Sequence, residues 1–181
     1  MTSQITRWTT GPQAAWFGTL ARLVVGGVWL VAGLLKVGDG AGSVRAVRAY
    51  DLLPEAVVPS VGHALPAFEI VIGLALLAGA LTRAAAVGSS LLFVAFIIGI
   101  ASAWARGLQI ECGCFGGGGF DADASSKYPW EIARDVGLLL LSLWLVWRPR
   151  TKVALDSFIF RPLTLAPERS EHVQPETNLH P

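Results

Sequence analysis

The stretch from Ala84 to Trp104 carries no charged side chain, and this feature constrains the fold more than any other. A helix needs about 20 apolar residues to cross the hydrocarbon core of a bilayer, and this stretch has no polar face to turn towards water. The alternative is a buried helix of a soluble bundle. Charged residues make up only 15% of the chain and the mean hydropathy is +0.55, so the composition favours a membrane protein.

Three further segments have the length and apolarity of membrane spans. Together the four spans lie at about residues 16–37, 64–81, 84–104 and 131–147. We therefore predict an all-α fold: a polytopic membrane four-helix bundle with both termini on the same side. A polar N-terminal segment (1–15) precedes the four-span membrane domain (16–147), and a polar, weakly ordered tail (148–181) follows it.

The distribution of Lys and Arg between the two sides gives a small orientation bias. The cluster from Arg148 to Lys152 favours cytoplasmic termini, which puts the loop before the fourth span on the extracytoplasmic face. The predicted location is the cytoplasmic membrane of a bacterium, with the lipid bilayer as the surroundings of the spans. The net charge of +1 leaves no basic excess to hold a nucleic acid, and no such partner is predicted.

Four charged residues lie at the membrane end nearest to that loop. Lys36 ends the first span, Glu69 lies about 8 Å into the second, and Arg134 and Asp135 open the fourth. Charges at such depths are costly and usually pair with one another, so Glu69 is expected to pair with Lys36 or Arg134. Such a pair fixes the register of the helices, or it belongs to a polar pocket that relays protons or tunes a thiol.

The loop between the third and fourth spans contains both cysteines of the chain, as Cys112-Gly113-Cys114. A disulfide needs Cα atoms about 4.4–6.8 Å apart, and Gly113 permits the turn that this requires. A ring so small is strained, and strained, exposed disulfides are the labile or catalytic ones. The alternatives are two inert thiols, or half of a metal site with His63 and an acid as partners; no metal is predicted, because two cysteines alone do not close a zinc site.

The charges around the cysteines bear on their reactivity. A carboxylate at Glu111 would raise the pKa of the Cys112 thiol, whereas Arg106, Lys36 or Arg134 would lower it. We interpret the glycine run from Gly116 to Gly119 as a source of freedom for the loop.

Five short motifs between about Ala21 and Trp147 resemble those of one family. They are Ala32-Gly33-Leu34-Leu35-Lys36, Tyr50-Asp51-Leu52-Leu53-Pro54, Pro66-Ala67-Phe68-Glu69, Cys112-Gly113-Cys114-Phe115-Gly116 and Arg134-Asp135. The chain resembles the methylamine utilisation protein MauE family, within the broader DoxX-like group of four-helix membrane proteins. The resemblance implies a redox-associated membrane protein that handles thiols or disulfides of exported proteins, commonly beside a thioredoxin-like partner.

The resemblance also implies a layout similar to that of membrane disulfide-generating proteins, which pass electrons to a quinone. Those proteins use Cys-x-x-Cys and a second cysteine pair, whereas this chain has one Cys-Gly-Cys, so a second dithiol would come from a partner. The residues themselves specify no cofactor, and a quinone is the candidate that the resemblance adds.

The predicted function is that of an integral membrane thiol–disulfide redox protein. Cys112 and Cys114 would cycle on the extracytoplasmic face with a thioredoxin-like partner, a quinone or both, as in a thiol–disulfide oxidoreductase. Lys36, Glu69, Arg134 and Asp135 would tune the local charge or relay protons. The alternatives are a non-enzymatic membrane subunit or assembly factor for a redox complex, and a small-molecule carrier that uses a pocket at Glu69.

Overall fold

The computed structural model describes residues 12–148 and Leu155. These residues form five helices and no strand: α1 (Pro12–Val37), α2 (Gly40–Ala49), α3 (Val58–Ala78), α4 (Thr82–Ala105) and α5 (Ala124–Trp147). The all-α prediction is confirmed for this part of the chain. The predicted polar N-terminal segment up to Gly11, and the predicted tail apart from Arg148 and Leu155, lie outside the described residues.

Three of the described helices are long and apolar enough to cross a membrane: Ala14–Val37 within α1, and the whole of α3 and α4. This finding points to a membrane protein. Helix α5 does not meet the same criterion, because Lys127, Glu131, Arg134 and Asp135 lie in its first half. The fourth span, the four-span bundle and the shared side of the termini therefore stay predictions.

Helix α3 begins at Val58, well before the predicted start of its span near residue 64. Pro59 occupies its first turn, where the missing N–H leaves no hydrogen bond unmade. Glu69 consequently lies about 16 Å along the helix rather than near its start. The helix ends at Ala78, and the left-handed conformation of the next residue, Gly79, starts the short turn into α4.

Helices α1 and α3 run antiparallel, and glycines allow their backbones to approach closely. A Cβ atom on Gly33 would lie 2.6 Å from Ile70 and 2.9 Å from the Pro66 carbonyl, and one on Gly73 would lie 2.7 Å from the Leu30 backbone nitrogen. Contacts of this kind between small residues are typical of helices that associate in lipid. Both glycines are therefore required by packing rather than by backbone conformation.

Replacing Gly33 by Ala is expected to lower the free energy of unfolding by about 1–3 kcal/mol, the usual cost of forcing a methyl group into a filled core. The matched control is Gly27→Ala on the same helix, where a Cβ meets no atom within 4 Å. That change should be neutral or stabilising, because Ala favours a helix over Gly by about 1 kcal/mol. Unfolding of both variants in detergent measures the difference, and equal stability would contradict the packing argument.

A buried chain of hydrogen bonds links α1, α4 and α5. Trp29 donates its Nε1–H to the Ser89 hydroxyl at 2.7 Å, Ser89 and Ser142 are hydrogen-bonded at 2.9 Å, and the Ser142 hydroxyl reaches the Leu138 carbonyl at 2.9 Å. All three polar side chains are almost completely buried. Polar groups in such surroundings must be paired, so this chain fixes how the three helices sit against one another.

Candidate thiol site

The segment between α4 and α5, residues 106–123, is called here the cysteine loop, and two tyrosines hold it at separate points. The buried Tyr128 hydroxyl donates to the carbonyls of Leu108 and Ile110 and accepts the Ile110 N–H. The Tyr50 hydroxyl, at the end of α2, donates to the Cys112 carbonyl at 2.8 Å. These two residues are the only tyrosines in the sequence. Through these hydrogen bonds, each of them fixes the backbone near the cysteines.

Three glycines of the cysteine loop, Gly113, Gly117 and Gly118, are closely packed, whereas a Cβ on Gly119 would meet no atom within 4 Å. The interpretation of the glycine run as a source of loop freedom is therefore corrected for Gly117 and Gly118. Gly118 has φ +95°, and a Cβ on it would lie 2.4 Å from the Cβ of Ala46 on α2. A Cβ on Gly113 would meet the same Ala46 atom at 2.9 Å. The Glu111 carboxylate accepts the Gly118 N–H at 3.1 Å. The loop can therefore lie against α2 only where it has no side chains.

The two cysteines are free thiols in unequal surroundings. Cys112 is half-buried, whereas Cys114 is only 7% exposed. Gly113, with φ +68°, turns the chain so that the Cys114 N–H points at the Cys112 sulfur at 3.4 Å, and the Cys114 thiol lies 3.9 Å from the Cys112 carbonyl oxygen. One thiol is thus reachable, and the other lies behind it.

The same arrangement separates the acidities of the two thiols. The hydrogen bond from the Cys114 thiol lowers the pKa of Cys112, helped by the Cys114 N–H and the Arg134 guanidinium, against burial and the Glu131 carboxylate. The hydrogen bond to Cys112 and burial raise the pKa of Cys114 well above its ordinary value. The acid that opposes ionisation of Cys112 is Glu131, rather than the expected Glu111.

Reduced Cys112 is expected to be alkylated by iodoacetamide with a half-maximal rate below pH 8.5, the ordinary pKa of a thiol being about 8.5. The thiolate is the nucleophile, so a lowered pKa moves the rate profile to lower pH. Cys114→Ala should move the profile back to higher pH, because it removes the largest cause of the lowered pKa. Peptide mass spectrometry separates the two thiols, and a wild-type profile centred above pH 8.5 would contradict the expectation.

Below the cysteine loop, Lys36 and Glu69 form a buried ion pair. The Lys36 Nζ lies 2.5 Å from Glu69 Oε1, and the two side chains are 4% and 0% exposed. The ammonium group also lies 5.7 Å from the centre of the Phe96 ring. Of the two pairings expected for Glu69, the structure has the one with Lys36.

Arg134 and Asp135 pair with each other instead, at 2.9 Å, on the first half of α5. The Arg134 guanidinium lies over the Phe115 ring at 5.0 Å, and Phe115 directly follows Cys114. The contact with Phe115 holds the Arg134 guanidinium near the cysteine loop. The positive charge of Arg134 therefore favours the thiolate of Cys112. The four charges expected near the cysteines therefore form two separate pairs.

A cavity of about 250 Å³ opens beside Cys112, and we call it the apolar cavity. Its walls come from α2, α3 and α4, with side chains such as Val61, Leu65 and Phe96. Its polar boundary includes Lys36, Tyr50 and Cys112. The apolar cavity therefore brings an ammonium group and the more acidic thiol to one space lined mainly by hydrocarbon.

Tyr50 is a residue of this site for which the sequence predicted no role, although it opens the motif Tyr50-Asp51-Leu52-Leu53-Pro54. Burial, followed by the charge of the neighbouring Cys112, raises the pKa of Tyr50, so its hydroxyl remains a donor to the Cys112 carbonyl. The Arg106 guanidinium in turn donates to the Tyr50 carbonyl. Little in the sequence indicated this role, because Tyr50 is one of two tyrosines and lies far along the chain from the cysteines.

The metal alternative finds no companion ligands in the described part of the chain. His63 is hydrogen-bonded through Nδ1 to the Pro59 carbonyl at 2.7 Å, within its own helix. Among residues 12–148, no three His, Cys, Asp or Glu side chains are grouped so that they could hold a metal ion.

A family model described as methylamine utilisation protein MauE matches residues 14–148. This range contains all five helices except the first two residues of α1, together with the cysteine loop. No curated protein and no solved structure matches the chain.

Proposed function

Because the chain belongs to the MauE family, we propose that it is an integral membrane thiol–disulfide redox protein. Cys112 and Cys114 would alternate between two thiols and a disulfide, and electrons would enter from a thioredoxin-like partner. Its place would be the cytoplasmic membrane of a bacterium, with four spans, cytoplasmic termini and the cysteine loop on the extracytoplasmic face. Thiol chemistry would make it an oxidoreductase.

The unequal pair of thiols is the observation that carries this proposal. Thiol–disulfide exchange needs one accessible thiolate to attack and a second thiol to resolve the mixed disulfide. Cys112 is the more exposed sulfur and its pKa is lowered, whereas Cys114 is buried behind it with a raised pKa. This division suits Cys112 as the residue that exchanges with a partner and Cys114 as the one that resolves.

The apolar cavity supports a quinone as the electron acceptor. Oxidation of the two thiols to a disulfide releases two electrons and two protons, and a bound quinone supplies the capacity to accept both. The cavity fits such a molecule, because its walls are apolar and belong partly to α3 and α4, which are apolar enough to lie in a bilayer. Cys112 and Lys36 both border it, so a thiolate and a cation would face the same ring.

The charged pairs would then have different tasks. Lys36, held by Glu69, would present a cation to the apolar cavity, where it favours negative charge that develops on a bound ring. Arg134, held by Asp135 and resting on Phe115, would favour the thiolate of Cys112. These tasks are compatible with a structural role, because each pair also joins or stiffens elements around the site.

The test is thiol trapping in intact cells with a membrane-impermeant maleimide, with and without prior reduction. We expect labelling only after reduction, because the resting pair would be an outward-facing disulfide. The matched control is the double variant Cys112→Ser/Cys114→Ser, which contains no cysteine at all. Labelling without reduction would favour the assembly-factor alternative, and labelling only in opened cells would overturn the orientation.

A second assay follows the reducing equivalents onward. Purified protein in lipid vesicles is supplied with dithiothreitol and decylubiquinone, and reduction of the quinone is read from its ultraviolet absorbance. Turnover that depends on the cysteines is expected. Turnover equal to that of the cysteine-free double variant would remove the quinone from the proposal.

A further inference from the structure

We propose that Lys36 exchanges protons with water at the cysteine end through a small polar pocket and passes them to the apolar cavity. This inference rests on the proposed redox function for its purpose, but the access to water can be tested without it. Ser43 is the positioning residue in this route, and Asp39 is its entrance.

The first observation is that Lys36 borders two spaces. One is the apolar cavity, and the other is a pocket of about 50 Å³, called here the polar pocket, on the other side of Ser43 and Ala46. Its other walls come from the end of α1, the start of α2 and the cysteine loop: Leu35, Asp39, Gly42, Gly113, Gly116 and Gly117. Lys36 is thus a residue that both spaces share, as are Ser43 and Ala46.

The second observation is that the polar pocket can hold water. A water molecule needs at least about 10–15 Å³ of such volume and two to four polar partners, so the pocket has room for about three. Asp39 and Ser43 line the pocket and carry a carboxylate and a hydroxyl; the carboxylate also accepts the Gly42 N–H at 2.7 Å and lies 3.6 Å from the Arg45 guanidinium. Asp39 is 63% exposed and therefore reaches bulk solvent. The Ser43 hydroxyl lies 3.4 Å from the Lys36 carbonyl and 3.2 Å from the Asp39 carbonyl.

The third observation concerns Glu69, the buried partner of Lys36. Its Oε1 is paired with the ammonium group, whereas its Oε2 is buried and makes no hydrogen bond to any of the described residues. A buried carboxylate oxygen in this condition is costly as a purely structural feature. It can accept a proton, so the pair can shift between an ion pair and a neutral pair while Lys36 delivers a proton.

The chemistry of the proposed reaction needs such a route. Two thiols become a disulfide, and the acceptor gains two electrons and two protons. The lowered pKa of Cys112 favours the thiolate as its reacting form, so another group supplies a proton to the acceptor in the apolar cavity. Lys36 donates a proton on the cavity side and regains one from the polar pocket.

The matched variants are Ser43→Val and Ser43→Thr. The side chains of Val and Thr have nearly the same shape, but Thr carries a hydroxyl where Val carries a methyl group. Ser43→Ala is the smaller substitute if the branched side chains disturb the fold. The corresponding pair at Ser90 is the control, because among the described residues its buried hydroxyl is hydrogen-bonded within its own helix, to the Ala86 carbonyl at 2.8 Å. Each variant is tested as the full chain in lipid vesicles or nanodiscs.

The first readout does not depend on redox activity. The chain has three lysines, Lys36, Lys127 and Lys152, so ¹⁵N-labelled lysine gives a simple spectrum in which Lys36→Arg identifies one signal. We expect proton exchange of the Lys36 ammonium with water to slow about tenfold or more in Ser43→Val and to remain near the wild-type rate in Ser43→Thr. Equal exchange in the two variants would overturn the route.

The second readout is quinone reduction with dithiothreitol, which should slow about tenfold in Ser43→Val but not in Ser43→Thr. Reduction of the Cys112–Cys114 disulfide by dithiothreitol should be equal in both. Slower exchange at Lys36 with unchanged turnover would overturn the role of the route in the reaction. Turnover that survives loss of both cysteines would overturn the redox function and leave the exchange result to decide water access.

Discussion

Cys114→Ser is expected to accumulate a stable mixed disulfide at Cys112 when the protein is treated with oxidised glutathione, whereas Cys112→Ser accumulates little. Cys112 is the more exposed sulfur with the lowered pKa, so it attacks first. Without Cys114 no thiol resolves the product. In the reverse variant, the remaining thiol is buried and its pKa is raised. Intact mass spectrometry reads the adduct directly.

Both single variants should lose quinone-reducing turnover by at least about a thousandfold, because residues that act as one unit fail together. The double variant should therefore be no worse than either single one. Circular dichroism should show unchanged helix content, since the cysteines lie outside the helices. Equal adduct formation in the two single variants would refute the division of roles, and retained turnover would refute the redox function.

The second large effect is expected at the buried ion pair. Lys36→Met should lower the free energy of unfolding by about 3–5 kcal/mol, because it leaves the completely buried Glu69 without its partner. The double variant Lys36→Met/Glu69→Gln should recover much of that loss, since no uncompensated charge remains. Reversible unfolding in mixed detergent micelles measures the three proteins on one scale.

The exposed pair Arg48–Glu55 is the matched control. Its nitrogen and oxygen are also 2.5 Å apart, but the side chains are 47% and 66% exposed. Solvent screens such a pair, so Arg48→Met should change stability little. If Lys36→Met behaves like Arg48→Met, burial does not determine the strength of the inner pair. If the double variant is stable but slow in quinone reduction, the pair serves function beyond packing.

Most of the candidate site followed from the composition and order of residues. Charges near the ends of apolar segments are recognisable because charged side chains are costly in a bilayer unless they are paired. The Cys-Gly-Cys spacing is recognisable because two thiols so close in the chain can form a disulfide. The partner of Glu69 did not follow, since Lys36 and Arg134 were equally available in the sequence. Packing decided it: α1 and α3 meet through Gly33 and Gly73, which brings Lys36 to Glu69.

The residues alone predict an all-helical chain, four membrane spans and one loop with both cysteines. In the part of the chain that the structure describes, the helices are confirmed, and three of them are apolar enough to cross a membrane. Local apolarity and the spacing of charges carry this information. Helix packing, in contrast, places Gly118 of the glycine run on Ala46, the Tyr50 hydroxyl at the Cys112 carbonyl, and Lys36 at the border of two spaces. These contacts join residues far apart in the chain, and their distances depend on how helices pack rather than on any local pattern.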